Sequence, residues 1–256
     1  MNIRNLPVFS FREAIAAIRQ QPVYRHHTSF LWQRCLSIRN QFCEAVVCAE
    51  LLSFEQMVNA SCRYCIGASR RGGVIFWQID HEGRVHDGKV MYYQSDCHRN
   101  KSKAAHPIWV STFLAHRHGS RKSDTTSHCF FGQHLLSANP QATCAIVEAE
   151  KTAFILSELY PGYLWLAAGG LGEVQPDKFR ALRGHKVILF PDTDPDGIAF
   201  HRWTEAATLV MNAPFWEGSP PIRVSPILEL HATKDQKRRK IDLIDFIFEQ
   251  NGKQQP

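Results

Sequence analysis

The 256-residue sequence lacks an apolar run of the about 18 residues that a membrane-spanning helix requires. Its opening stretch, MNIRNLPVFSFREAIAAIRQ, also lacks the apolar centre of a secretory signal. Both absences predict a soluble, cytoplasmic protein with no membrane partner. The motifs G-x-x-x-x-G-K-[ST], G-x-S-x-G and H-E-x-x-H are missing as well. Their absence removes P-loop nucleotide hydrolysis, nucleophile-elbow hydrolysis and zinc-peptidase chemistry from consideration. There are no internal repeats and no long low-complexity tract.

Cysteine is present but poorly arranged for a metal. Of eight cysteines, only Cys62 and Cys65 form a C-x-x-C pair. A structural zinc site needs a second pair at suitable spacing. Cys97-His98 is the nearest substitute, so zinc is not expected, and reduced cysteines buried in a strand or turn are. The 44% hydrophobic content is that of a chain with a normal core.

Charge is unevenly spread. Residues 1–125 carry 17 Lys and Arg against 9 Asp and Glu, whereas residues 126–256 carry 13 against 15. A basic half beside an acidic half suits a polyanion-binding surface next to a cation-binding site. A solvated basic surface explains the first half equally well on charge alone.

Apolar spacings of three and four predict helices through residues 11–60. From about 61 the texture changes. GGVIFWQID, HEGRVHDG and KVMYYQ read as strand, turn and strand, with Glu82-Gly83 and Asp87-Gly88 as turn signals. Residues 96–125 are polar and basic around one apolar island, IWVSTFL, and read as an irregular connection. Arg99, Lys101 and Lys103 there are of the type that contacts phosphates.

From 142 onward strands alternate with helices. ATCAIVE, YLWLAAGG, HKVILFPD and PIRVSPILEL read as strands; EKTAFILSELYP, QPDKFRALRG and GIAFHRWTEAATLVMNA read as helices. This alternation predicts an α/β domain with a mostly parallel sheet over residues 142–230. A helical region (1–60) and a basic α+β segment (61–141) precede it. The tail 231–256 reads as one closing helix, with apolar positions at 241, 244, 247 and 248.

In a parallel sheet, functional groups collect beyond the carboxyl ends of the strands. Glu148 ends one strand and Asp192 another, and Asp194 and Asp196 follow at alternate positions before Gly197. Two like charges about 4 Å apart repel by roughly 4 kcal/mol at an effective dielectric near 20. Four such carboxylates must take up protons or bind a cation, and an all-oxygen set suits Mg²⁺ or Mn²⁺. The run D-x-D-x-D-G also opens a calcium loop. Counting from Asp192, however, the twelfth position is Trp203, where that loop needs a bidentate Glu. An acidic turn capping the next helix needs only one Asp. Packing is the safer role for Trp203, and likewise for Phe76 and Trp77.

IVEAEKTAFIL followed by VILFPDTDPDG resembles the two signatures of the Toprim fold shared by bacterial primases, topoisomerases and some nucleases. The E-x-E-K-T-A form is similar to phage and plasmid primase-like proteins carried on mobile elements. More weakly, VIFWQIDHEGRVHDGKVMYY and HCFFGQHLL resemble the segments that precede Toprim in bacterial primases. The resemblance implies a Toprim-type central sheet flanked by helices. It implies that Glu148 is the catalytic residue, a general acid/base or metal-organising group, that Asp192 and Asp194 are Mg²⁺ or Mn²⁺ ligands, and that Asp196 is a third acidic position. It places Lys89 where primases carry an Arg. Lys89, Lys151, Arg99, Lys101 and Lys103 are then the candidates for holding nucleic acid or nucleotide.

The implied function is primase-like nucleotidyl transfer in replication or mobilisation of a mobile element. Single-stranded DNA or another nucleic acid and nucleoside triphosphates are the implied ligands. The sequence contains neither a zinc ribbon nor a helicase P-loop, so a separate helicase or zinc-ribbon protein is an expected partner. Two alternatives use the same fold: a Toprim nuclease, and a non-catalytic nucleic-acid-binding scaffold.

Overall fold

The computed structural model describes residues 36–102, 106–113, 128–250 and 252. The expected helix over 11–35 and the candidate Lys103 lie outside these residues. The chain divides into two compact units between Cys129 and Phe130.

The first unit opens with α1 (Gln41–Cys48) and α2 (Phe54–Arg63). Each starts at a capping side chain that satisfies an otherwise orphaned amide. The Asn40 side chain accepts from the Cys43 N–H, and Ser53 and Gln56 form a reciprocal capping box. Next comes an antiparallel sheet in the order β1 (Gly67–Ala68), β2 (Val74–Ile79), β3 (Val85–Met91) and β4 (Ile108–Trp109). Phe42 of α1 packs edge-on against Phe76 of β2 at 5.3 Å between ring centroids. Phe76 and Trp77 are both buried, as the sequence predicts.

The hairpin between β2 and β3 departs from expectation. The chain turns once, at 80–84, and Asp87-Gly88 lies inside β3. Asp80 organises the turn: its carboxylate accepts the N–H groups of Glu82 and Arg84 and the Arg84 Nε–H, and it meets His86 Nε2 at 2.8 Å. Gly88 is a packing glycine, directly across from Trp77 in the ladder. A Cβ there would sit 2.7 Å from the Trp77 ring.

The second unit is an α/β domain, as the sequence predicts. Its four strands run parallel, in the order β6 (Leu164–Ala167), β5 (Cys144–Val147), β7 (Val187–Phe190) and β8 (Arg223–Val224). Parallel strands covered on both faces read as unbroken apolar runs, and CAIV and LWLA are entirely buried. One face packs with α4 (Ile198–Met211), whose Ala199, Trp203, Ala207 and Val210 recur at helical spacing. Trp203 fills this core beside Ile146, Leu189 and Phe179. The other face carries α3 (Glu150–Leu159), in which eight of ten residues are buried, as a helix pressed onto a sheet requires.

Three expected elements differ. QPDKFRALRG forms a 3₁₀ segment, Pro176–Leu182. PIRVSPILEL supplies only the two-residue β8, after which α5 (Ile227–His231) begins. The expected single closing helix is two, α6 (Lys234–Arg239) and α7 (Leu243–Gln250). Between them Lys240 takes a left-handed conformation, φ 57°, which an uninterrupted helix cannot contain.

Candidate metal centre

The strand order creates the site. From β5 the chain moves to β6 on one side, and from β7 it moves to β8 on the other. Neighbouring strands whose connections diverge leave a crevice beyond their carboxyl ends. Val147 pairs with Phe190 in the ladder, so Glu148 emerges beside Pro191, with Asp192 one residue further. Adjacent strands are about 4.8 Å apart, so the topology brings these two backbone positions close, and Asp192 feels the charge of Glu148.

Asp192 is the electrostatically strained member. Its carboxyl is held well above the usual carboxylate range. Loss of solvent is the largest cause, followed by repulsion from Glu148 and Asp242; Lys151 acts the other way. The residue keeps intermediate solvent exposure. An acid in this position holds a proton or needs a cation.

Asp194 plays a different part. Its Oδ1 accepts the N–H groups of Asp196 and Ile198 at 3.0 and 3.1 Å, and its Oδ2 accepts that of Ala199 at 2.8 Å. Burial raises its pKa, but these three bonds and the charge of Lys240 outweigh it, and the group stays below its ordinary range. Asp194 thus caps α4, the role any one Asp of the run could fill. One acceptor position on Oδ2 remains for a further ligand. Asp196 is exposed. Gly197, at φ 68°, supplies the left-handed turn into α4. The loop is pinned from behind by Thr193, whose hydroxyl donates to Glu229 Oε1 at 3.0 Å; Glu229 in turn pairs with Lys237 at 2.7 Å.

Two acids that sequence reasoning missed join the site. Asp242 and Asp245 exchange backbone-to-carboxylate hydrogen bonds across the first turn of α7. Asp242 also accepts the Thr152 hydroxyl at 2.8 Å and pairs with Lys151 Nζ at 3.3 Å; Asp245 lies 3.8 Å from the same ammonium. Burial alone would push Asp242 up, but Lys151 and these hydrogen bonds bring it below the ordinary range. The available signal was D-x-x-D at a helix start, which is a capping pattern.

The donor chemistry fits a hard divalent cation. Glu148 and Asp192 are carboxylates at one strand edge, and Asp192 is strained in a way that a cation would relieve. Among the described residues no group of three or more His, Cys, Asp or Glu side chains is arranged to hold a metal ion. Mg²⁺ does not require one, because it keeps several waters and takes one or two carboxylates plus substrate phosphates.

Residues 40–193 match the family model described as "Domain of unknown function (DUF6371)". The chain belongs to the DUF6371 family. No curated protein matches it. Among solved structures, the DnaG catalytic core is similar at a TM-score of 0.50 and 12% identity, over 93% of this chain and 83% of that one. The DnaG primase catalytic domain bound to ssDNA gives 0.48 and 14%, over 94% and 86%. The primase fragment of the bacteriophage T7 primase-helicase gives 0.44 and 17%, over 77% of this chain and 66% of that one. The likeness to the DnaG catalytic core shows that this DUF6371 chain has a primase-core-like α/β fold: a parallel sheet with flanking helices, preceded by an antiparallel sheet and helices.

Lys151 lies in the site, with its side chain 10% exposed. Lys89 is half-buried on β3, opposite Phe76 on one side and Trp109 on the other. Arg99 and Lys101 are exposed. These last three belong to the first unit. Among the described residues no helix is long and apolar enough to cross a membrane.

Proposed function

We propose that the chain is a metal-dependent nucleic-acid enzyme whose chemistry is primase-like nucleotidyl transfer. The observation that carries this is the position of Asp192. It stands at the switch point of a parallel sheet, strained by Glu148 and Asp242, where an all-oxygen site needs a cation. Glu148 and Asp192 would hold Mg²⁺ or Mn²⁺ together with water and substrate phosphate, with Asp194 and the rim residue Asp196 adding negative charge nearby. Bound there, the cation would neutralise phosphate charge and stabilise the attacking and leaving oxygens.

The chain's own residues have separable tasks in this proposal. Glu148 accepts the proton of an attacking 3′-hydroxyl or shares the cation. Asp194 holds the acidic loop rigid against α4, so that Asp192 keeps its place. Lys89, Arg99 and Lys101 in the basic first unit, with Lys103, hold the phosphates of a single-stranded template or of a triphosphate by counterion release. The whole then acts in replication or mobilisation of a mobile element, with a helicase or zinc-ribbon protein as a separate partner.

The test is incubation with single-stranded DNA, labelled nucleotides and Mg²⁺ or Mn²⁺. Template-directed products longer than a dinucleotide are expected, and Asp192→Asn should abolish them. Shortened template without new product would replace nucleotidyl transfer by nuclease action. DNA binding with neither would make the fold a scaffold.

A further inference from the structure

The acidic second half of the chain holds one basic exception. Five of the thirteen Lys and Arg in residues 126–256 fall within seven positions: Lys234, Lys237, Arg238, Arg239 and Lys240. They lie on α6 and on the left-handed residue that ends it. Two of the five are held by acids. Lys237 pairs with Glu229 at 2.7 Å, and Arg239 makes a bidentate pair with Glu249 at 2.7 and 2.8 Å. Lys234, Arg238 and Lys240 are exposed. The Arg238 side chain stays 78% exposed although it meets Asp235 one turn back. Three acids, Glu229, Asp235 and Glu249, face five cations, so the strip keeps net positive charge.

The strip stands beside the acidic loop. The Thr193 N–H donates to the Ile241 carbonyl at 3.2 Å. Thr193 lies between Asp192 and Asp194, and Lys240 directly precedes Ile241. The Thr193 hydroxyl donates to Glu229 at 3.0 Å, and Glu229 continues to Lys237. These two links fix α6 against the loop. At about 1.5 Å per residue, Lys234 to Lys240 covers about 9 Å. A nucleic-acid strand carries one charge per about 3.4 Å of axis. Lys234, Arg238 and Lys240 can therefore face two or three successive phosphates.

We infer that α6 and Lys240 form a phosphate-contacting surface that holds a single-stranded nucleic acid beside the carboxyl edge of the parallel sheet. This inference rests on the proposed function, which makes nucleic acid the substrate. It adds a contact surface in the second unit to Lys89, Arg99 and Lys101 of the first. Lys and Arg on such a strip contact phosphate and not base edges, so binding is independent of sequence and steep in salt. An acidic protein is the other polyanion. The loop that the strip borders favours nucleic acid, because phosphate is the substrate ligand that a carboxylate-held Mg²⁺ takes.

The test is fluorescence anisotropy of a labelled oligo(dT) with the full-length chain, in chelator and across a range of salt. The triple variant Lys234→Gln, Arg238→Gln, Lys240→Gln should bind at least about tenfold more weakly than the wild type, with a salt slope lower by about 1–2. Lys234→Arg with Lys240→Arg keeps every charge and should bind as the wild type does. Arg183→Gln, Lys186→Gln and Arg223→Gln together remove the same charge from exposed residues toward the amino edge of the sheet, and should leave the slope unchanged. An unchanged slope in the first variant, a loss in the arginine variant, an equal loss in the amino-edge variant, or equal displacement by polyglutamate overturns the inference and leaves the proposed function standing. Binding through α6 without template-directed products overturns nucleotidyl transfer and leaves the surface standing. No oligonucleotide binding by the wild type overturns both.

Discussion

Lys151 Nζ lies 3.3 Å from Asp242 Oδ2, and this contact ties the helix that follows β5 to the last helix of the second unit. Removing one partner of a buried pair leaves the other uncompensated, which costs about 3–5 kcal/mol. Lys151→Met is expected to lose stability on that scale in urea unfolding without metal. The loss should shrink in acid, where Asp242 and its neighbours take up protons and cease to repel. A loss below about 1 kcal/mol at neutral pH would mean that water already satisfies the pair.

Asp192 gives a test of opposite sign. Its folded pKa is raised, so ionising it opposes folding as pH rises above the ordinary carboxylate value. In chelator, Asp192→Asn should therefore be more stable than the wild type at neutral and alkaline pH. The advantage should fade as pH falls below the ordinary value, where both states are protonated. Thermal melts across pH would show this; a variant less stable than wild type at alkaline pH would rule out the strain.

Asp80 behaves in the usual way for a partnered acid. Burial opposes its ionisation, but hydrogen bonds from His86 and Arg84 outweigh it and bring the pKa down to about 2. Its contribution is present above the ordinary value and is lost as pH falls toward the folded one. Arg84 is half-exposed, so solvent screening reduces the effect to about 1–2 kcal/mol. Asp80→Asn should lose that much at neutral pH, and the difference should close between about pH 4 and about pH 2. A difference that does not change with pH would show that the turn needs only the shape of the side chain.

Gly88 and Gly172 make a paired control. A Cβ at Gly88 would stand 2.7 Å from Trp77, whereas one at Gly172 meets nothing within 4 Å. Overpacking of this kind costs about 1–3 kcal/mol. Gly88→Ala should show that loss in denaturant titration and Gly172→Ala should be near neutral. Equal effects would contradict the packing of β2 on β3.

The parallel sheet was legible because local patterns encode it. An apolar run that ends in an acid marks where a strand stops, which puts Glu148 and Asp192 at the carboxyl edge of the sheet. The Asp242–Asp245 arm was not legible, because Thr152 and Asp242 meet across 90 positions and the acids lie in a tail that reads as one amphipathic helix. The left-handed Lys240 that breaks that tail has no glycine or proline to announce it. Asp87-Gly88 read as a turn because the dipeptide is common in turns; the ring of Trp77 above it is a tertiary fact. The D-x-D-x-D run gave no hint of which Asp would cap α4, since that depends on where the helix starts.

The most direct measurement is calorimetric titration of Mg²⁺ or Mn²⁺ into the wild-type chain and into Asp192→Asn at neutral pH. Saturable binding in the wild type, weakened at least about tenfold in the variant as expected for loss of a charged ligand, is the outcome expected of a Glu148–Asp192 metal centre. Unchanged binding in Asp192→Asn, or none in the wild type, would contradict it.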